Sequence, residues 1–142
     1  MKDQPAKSWP KQVIIYTDGA SRGNPGPASV GIYVTDLDNQ VVDEVGEKLG
    51  HQTNNFAEYT AVVRSLEIAQ TRGCEKILLR SDSELMVKQM TGLYKVKSDV
   101  IKPLYQKVLQ LKGNFKELKF EHVRREFNRE ADRVANEALD RS

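Results

Sequence analysis

Residues 12–35 read QVIIYTDGASRGNPGPASVGIYVT, and the way this stretch divides decides the fold. Val13, Ile14, Ile15 and Tyr16 form a short apolar block rich in β-branched side chains, the composition of a strand buried on both faces and therefore central in its sheet. Gly23-Asn24-Pro25-Gly26-Pro27 supplies turn chemistry, after which residues 29–35 place Val30, Ile32 and Val34 on one face at period two. Asp38-Asn39 offers a second turn before a third strand over residues 40–48, so the chain opens as an antiparallel meander.

Downstream the period changes. Tyr59, Val62, Val63, Leu66 and Ala69 recur at three- and four-residue steps, predicting an amphipathic helix over residues 57–72 that Gly73 stops. Residues 76–80 are a buried strand, followed at once by a helix over 83–90 with Leu85, Met86, Val87 and Met90 apolar. A helix over 99–111 carries the stripe Val100, Ile101, Leu104, Val108 and Leu111, with Pro103 close enough to its start to be tolerated. A fifth strand runs over 118–123, and Asn128 caps a last helix carrying Val134, Ala135, Ala138 and Leu139. The order βββαβααβα makes this an α/β protein: a five-stranded mixed sheet whose later strands return parallel, flanked by helices.

At 142 residues the chain has room for one core. The expected division is a flexible tail over 1–11, containing the only Trp, Trp9, and a single domain over 12–142. The tail has no apolar run and does not read as a secretory signal, and no stretch is long and apolar enough to span a membrane. The single cysteine, Cys74, cannot form an internal disulfide, which fits a reducing compartment, and a cytoplasmic monomer is expected. Net charge is only +2, but residues 91–125 hold nine basic side chains against three acidic ones. Such a run either tracks phosphates or is a solvated helix face.

The acids carry the chemistry. Asp18 is expected just past the first strand and Asp82 just past the fourth; if those strands are parallel neighbours, both carboxylates emerge at the same edge, where sites in such sheets collect. Glu58 falls at the start of the long helix and Asp132 in the first turn of the last one. Each acid alone reads equally as a solvated group favoured at a helix N-terminus. Four together repel and are costly to fold unless cations neutralise them, which points to a hard divalent metal, magnesium or manganese.

The segments YTDGASRGNPGPASVG (16–31), TNNFAEY (53–59), LLRSDSELMVKQM (78–90) and NREADRVAN (128–136) resemble the type 1 ribonuclease H family, in its order and at its separations over nearly the whole chain. The resemblance implies a ribonuclease H-like fold and endonucleolytic cleavage of the RNA strand of an RNA–DNA hybrid, leaving 5′-phosphate and 3′-hydroxyl ends. It assigns Asp18, Glu58, Asp82 and Asp132 to catalysis and to two Mg2+ ions about 4 Å apart, Mn2+ being a substitute. Asp18 would bridge the ions and Glu58 would approach the RNA 2′-hydroxyl. It assigns substrate contact to Gly19, Ser21, Asn24, Thr53, Asn54, Asn55 and Glu84; the plainer reading is that Asn24 builds a turn and that Asn54 or Thr53 caps a helix.

Two departures mark a compact subgroup. The path from Met90 to the next helix is too short for the family's basic, Trp-containing protrusion. Residues 123–128, VRREFN, lack the His that many relatives carry before the last helix, so Arg125, with Arg124 or Glu126, is the expected replacement, while His51 and His122 read as structural. The rival readings are a metal-dependent exonuclease with the same sheet and a non-catalytic hybrid-binding module of the same fold.

Overall fold

In the computed structural model, which describes residues 8–141, the opening stretch forms β1 (Gln12–Ser21) and β2 (Gly26–Thr35), continued by β3 (Val41–Gln52). Then come α1 (Asn54–Thr71), β4 (Lys76–Ser81), α2 (Glu84–Met90), α3 (Lys102–Lys112), β5 (Glu117–His122), a short 3-10 turn over Arg125–Phe127 and α4 (Arg129–Asp140). The sheet order is β3-β2-β1-β4-β5: the meander is antiparallel, and β4 lies parallel to both β1 and β5. The expected mixed five-stranded sheet is present.

The two faces of the sheet are filled differently. Val13, Ile15, Val30, Ile32 and Leu79 are fully buried in one cluster with Leu66 of α1 and Val108 of α3. Each such side chain contributes roughly 1.5–3 kcal/mol of burial. On the opposite face α4 lies across β1, β2 and β3, through Ala131, Val134, Ala135 and Ala138. This face is therefore open over β4 and β5.

Four local expectations change. β1 runs on to Ser21 because Thr17–Ser21 pair with Ile32–Ala28 of β2, so Asp18 sits inside the strand rather than after it. Asp-Gly-Ala-Ser is poor strand sequence, and the antiparallel partner overrides that preference. β3 likewise extends to Gln52, which puts His51 in a strand opposite Pro27. α3 starts at Lys102 instead of 99, turning Val100 outward at 64% exposure while Ile101 is buried.

The expected tail over 1–11 divides. Residues 1–7 lie outside the described residues. Trp9 is buried in the core, its indole N–H donating to Asp43 Oδ2 (3.2 Å) and its amide to the Arg72 carbonyl (3.0 Å). The Lys11 carbonyl accepts from the amides of Glu75 and Lys76. One indole removes more apolar area from water than the surrounding polar residues resist losing, so residues 9–11 are part of the packed body.

Candidate active site

Parallel pairing of β1 with β4 brings Thr17 opposite Ser81, so the next residues, Asp18 and Asp82, leave adjacent strands at one edge. Asp82 then lies between the strand end and the N-cap of α2, where the Ser83 hydroxyl accepts from the Met86 amide and Ser81 Oγ accepts from the Ser83 amide. The strand-to-helix turn fixes its direction.

Two helices reach this edge because glycine lets them. A Cβ on Gly19 would stand 2.3 Å from the Glu58 amide nitrogen, so β1 and α1 touch backbone to backbone, and the Gly19 amide donates to Glu58 Oε1 (3.0 Å). Gly31, paired with Asp18, plays the same part for α4: a Cβ there would stand 2.1 Å from the Ala131 carbonyl oxygen. Paired residues share a face, so the Asp18 side chain leaves the sheet towards α4, whose Asp132 follows Ala131. Asn128 is buried at the start of α4, but its side chain makes no capping bond; its Nδ2 donates to the Thr17 carbonyl (2.9 Å), tying the helix to the residue before Asp18. Asn136, one turn after Asp132, donates to its carboxylate at 3.2 Å.

One oxygen from each of Asp18, Glu58 and Asp82 falls within 4.8 Å of the others. Asp132 lies beside this trio, its carboxyl within side-chain hydrogen-bonding reach of that of Asp18. Burial raises the Asp18 pKa from the ordinary 3.8 to about 9, and the charges of Glu58, Asp82 and Asp132 add to the shift. Glu58 is pushed up to about 8, first by burial and then by Asp82; the Gly19 amide and the positive charge of Arg125 pull it back. A cluster made only of carboxylate oxygens, desolvated and mutually repelling, fits a hard divalent cation and offers nothing to a soft one.

The sign of the pH effect follows. Carboxyls whose folded pKa exceeds the unfolded one contribute stability that is fully present below about pH 4 and is lost as pH rises through about 8 for Glu58 and 9 for Asp18. The unfolding midpoint of metal-free protein should therefore fall between pH 5 and 9 by more than that of Asp18→Asn, and millimolar magnesium should flatten the difference. Thermal scans at both pH values, with chelator or magnesium, check this; identical slopes for the two proteins would contradict it.

The expected substrate residues do several things. The Gly19 amide serves Glu58 rather than pointing outward. The Ser21 hydroxyl donates to the carbonyls of Gly23 and Gln52, closing its own loop, and Asn24 Oδ1 accepts from the Asn54 amide (3.0 Å), fastening the Gly/Pro turn to the start of α1. Thr53, not Asn54, caps that helix by accepting from the Phe56 amide. The side-chain amides of Asn54 and Asn55 have no partner among the described residues. Glu84 is exposed and paired with Lys88 (3.2 Å), while Arg125 is near enough for its charge to act on Glu58. Of the features sequence reasoning missed, only Asn136 left a signal, its four-residue spacing from Asp132.

A family model described as reverse transcriptase-like matches residues 16–138. Ribonuclease HI of Halobacterium salinarum is 43% identical over 129 residues, covering 91% of this chain. The crystal structure of RNase H1 from that organism superposes with a TM-score of 0.88, covering 91% of this chain and 98% of that one. LC11-RNase H1, solved in complex with an RNA/DNA hybrid, gives 0.86 at 43% identity, covering 90% and 96%. A bifunctional protein of Mycobacterium tuberculosis is 40% identical over 130 residues, covering 91% of this chain. The chain spans 65% of the Halobacterium protein's length and 36% of the mycobacterial one's.

Proposed function

The chain belongs to the type 1 ribonuclease H family, and from that premise we propose that it is an endoribonuclease cutting the RNA strand of RNA–DNA hybrids by metal-dependent hydrolysis, leaving 5′-phosphate and 3′-hydroxyl ends. The observation that carries the proposal is the convergence of Asp18, Glu58 and Asp82 within 4.8 Å, with Asp132 against Asp18, at the carboxyl end of two parallel strands.

Asp18, Glu58, Asp82 and Asp132 would hold two magnesium ions, manganese being able to substitute. Bound there, divalent cations supply Lewis acidity, making the attacking water more acidic and countering charge on the departing ribose oxygen. The protein's own groups do the rest. Asp18, with an oxygen within 4.8 Å of both Glu58 and Asp82, would be a ligand shared by the ions. Glu58 has one oxygen held by the Gly19 amide and the other free to meet the 2′-hydroxyl, the group that distinguishes RNA from DNA. The unpartnered amides of Asn54 and Asn55 stand four and three residues before Glu58, available to the sugar edges beside it. Lone Cys74, buried, fits a reducing compartment, and the reading is of a cytoplasmic monomer.

Arg125 takes the place of the missing loop His by charge rather than by proton exchange, since a guanidinium does not titrate in the working range. Arg125→Ala should lower kcat roughly tenfold or more and move the acidic limb of the pH–rate profile upward, because Glu58 then loses a neighbour that lowers its pKa. Arg125→Lys should restore the limb. An unchanged profile would remove Arg125 from the site.

The proposal is tested with one sequence presented as RNA–DNA hybrid, double-stranded RNA and double-stranded DNA in magnesium. Hydrolysis confined to the RNA strand of the hybrid is expected. Binding without cutting would make the chain a non-catalytic module of the same fold.

A further inference from the structure

The open face of the sheet carries a row of side chains that the carboxylate chemistry leaves unused. Register places Tyr33 of β2, Tyr16 of β1, Arg80 of β4 and Glu121 of β5 side by side across four strands. The two tyrosine rings lie 6.1 Å apart and tilted; Arg80 donates to the Tyr16 hydroxyl (2.8 Å) with its guanidinium over the Tyr16 ring at 5.6 Å. Phe127 overhangs this row at 61% exposure, with Arg124 over its ring at 5.7 Å. Two adjoining clefts, of about 320 and 480 Å³, share Tyr16 and Phe127 and join into one groove.

The groove is lined by three acids, Glu121, Glu126 and Glu130, and three arginines, Arg80, Arg124 and Arg129, and the pairing among them leaves one cation over. Its acids are met within the fold: Glu121 by Arg80 (2.6 Å), Glu126 by Arg124 (3.8 Å) and Glu130 by Arg133 (2.9 Å). Arg129, exposed on the groove wall, has no ion pair among the described residues. The groove shares its elements with the carboxylate cluster: Tyr16 is two residues before Asp18 on the same strand face, and Arg129 is three before Asp132 on the same helix. Aromatic rings interleaved with guanidinium groups, Phe127 exposed and Tyr16 and Tyr33 half-buried, offer stacking and charge to unpaired bases and their phosphates, whereas a duplex hides its base faces.

We propose that this groove binds a single-stranded stretch of nucleic acid running on from the hybrid, with unpaired bases stacking on Tyr16, Tyr33 and Phe127 and a phosphate meeting Arg129. The direction of approach rests on the ribonuclease H reading; the stacking does not. The test compares a fluorescent blunt hybrid with the same hybrid extended by roughly six unpaired nucleotides on either strand, bound in chelator so that nothing is cut. The wild type should bind one of the extended hybrids about tenfold tighter than the blunt one. Phe127→Ala, an exposed position, should lose that advantage yet hydrolyse blunt hybrid in magnesium as before, and Arg129→Ala should lessen the salt dependence of the extended complex.

Equal affinity for blunt and extended hybrids, in a protein that cuts both, would overturn the groove and leave the nuclease reading standing. Tight binding of the extension by a chain that cuts no hybrid would support the groove and overturn the nuclease. A wild-type dimer in sedimentation that Phe127→Ala dissociates would give the groove to a second copy of the chain and overturn the proposal.

Discussion

Asp18→Asn should abolish hybrid hydrolysis, lowering kcat by roughly 10³-fold or more, and should at the same time make the metal-free protein more stable. The first effect follows from position. An oxygen of Asp18 lies within 4.8 Å of Glu58 and Asp82, and the charges of Glu58, Asp82 and Asp132 all act on it. A neutral amide there removes the central anionic oxygen, and several kcal/mol of charge stabilisation goes with it. The second effect follows from burial. An acid whose pKa is raised to about 9 by desolvation and like charge is costly to keep in the fold near neutral pH. An isosteric amide avoids that cost, so about 2 kcal/mol and roughly 5–8 °C in the metal-free melting temperature should be gained. Opposite movement of activity and stability separates loss of chemistry from loss of fold; a destabilised Asp18→Asn would contradict the account.

Gly19→Ala should damage both the fold and the site with a single methyl group. Its Cβ would meet the Glu58 nitrogen at 2.3 Å and the Ala57 carbonyl carbon at 2.4 Å, both backbone atoms, so no rotamer change can relieve the clash. β1 and α1 must separate, at a cost of roughly 3 kcal/mol or more, and the Gly19–Glu58 hydrogen bond breaks with them. Urea unfolding should show the loss of stability, and residual folded protein should be inactive because Glu58 has moved. Gly113→Ala is the control: its Cβ meets nothing nearer than 3.5 Å, and stability should change little. Equal behaviour of the two variants would mean that the close approach is not what fixes Glu58.

Gly19 also shows where reading the sequence stops. The apolar blocks at Val13–Tyr16 and Ile77–Leu79 were legible as buried strands, the first as central, because burial on both faces leaves a composition that few other elements share. Once those strands were taken as parallel neighbours, the meeting of Asp18 with Asp82 was a matter of register, and the helix periodicity carried Glu58 and Asp132 towards the same edge. The length of β1 was not legible, because Thr17–Ser21 are held in the strand by β2 and not by their own preference. Nor was the work of the small residues. Gly19 and Asn128 read as a substrate contact and a helix cap. In the fold, Gly19 admits α1, while Asn128 fastens α4 to the Thr17 carbonyl. Contacts between elements distant in sequence leave no period to read. Trp9 was misplaced for the same reason, since its partners Asp43 and Arg72 lie on elements that only the fold brings together.

The central claim is that these four carboxylates hydrolyse internal phosphodiester bonds of RNA paired to DNA. It is tested most directly by incubating the protein in magnesium with a hybrid whose RNA strand is labelled at one end, and resolving the products by length. Internal cuts from the earliest times, on the RNA strand alone, with 5′-phosphate ends and complete loss in Asp18→Asn, are the predicted result. A ladder shortening stepwise from one end, or an intact strand in a protein that still binds the hybrid, would contradict it.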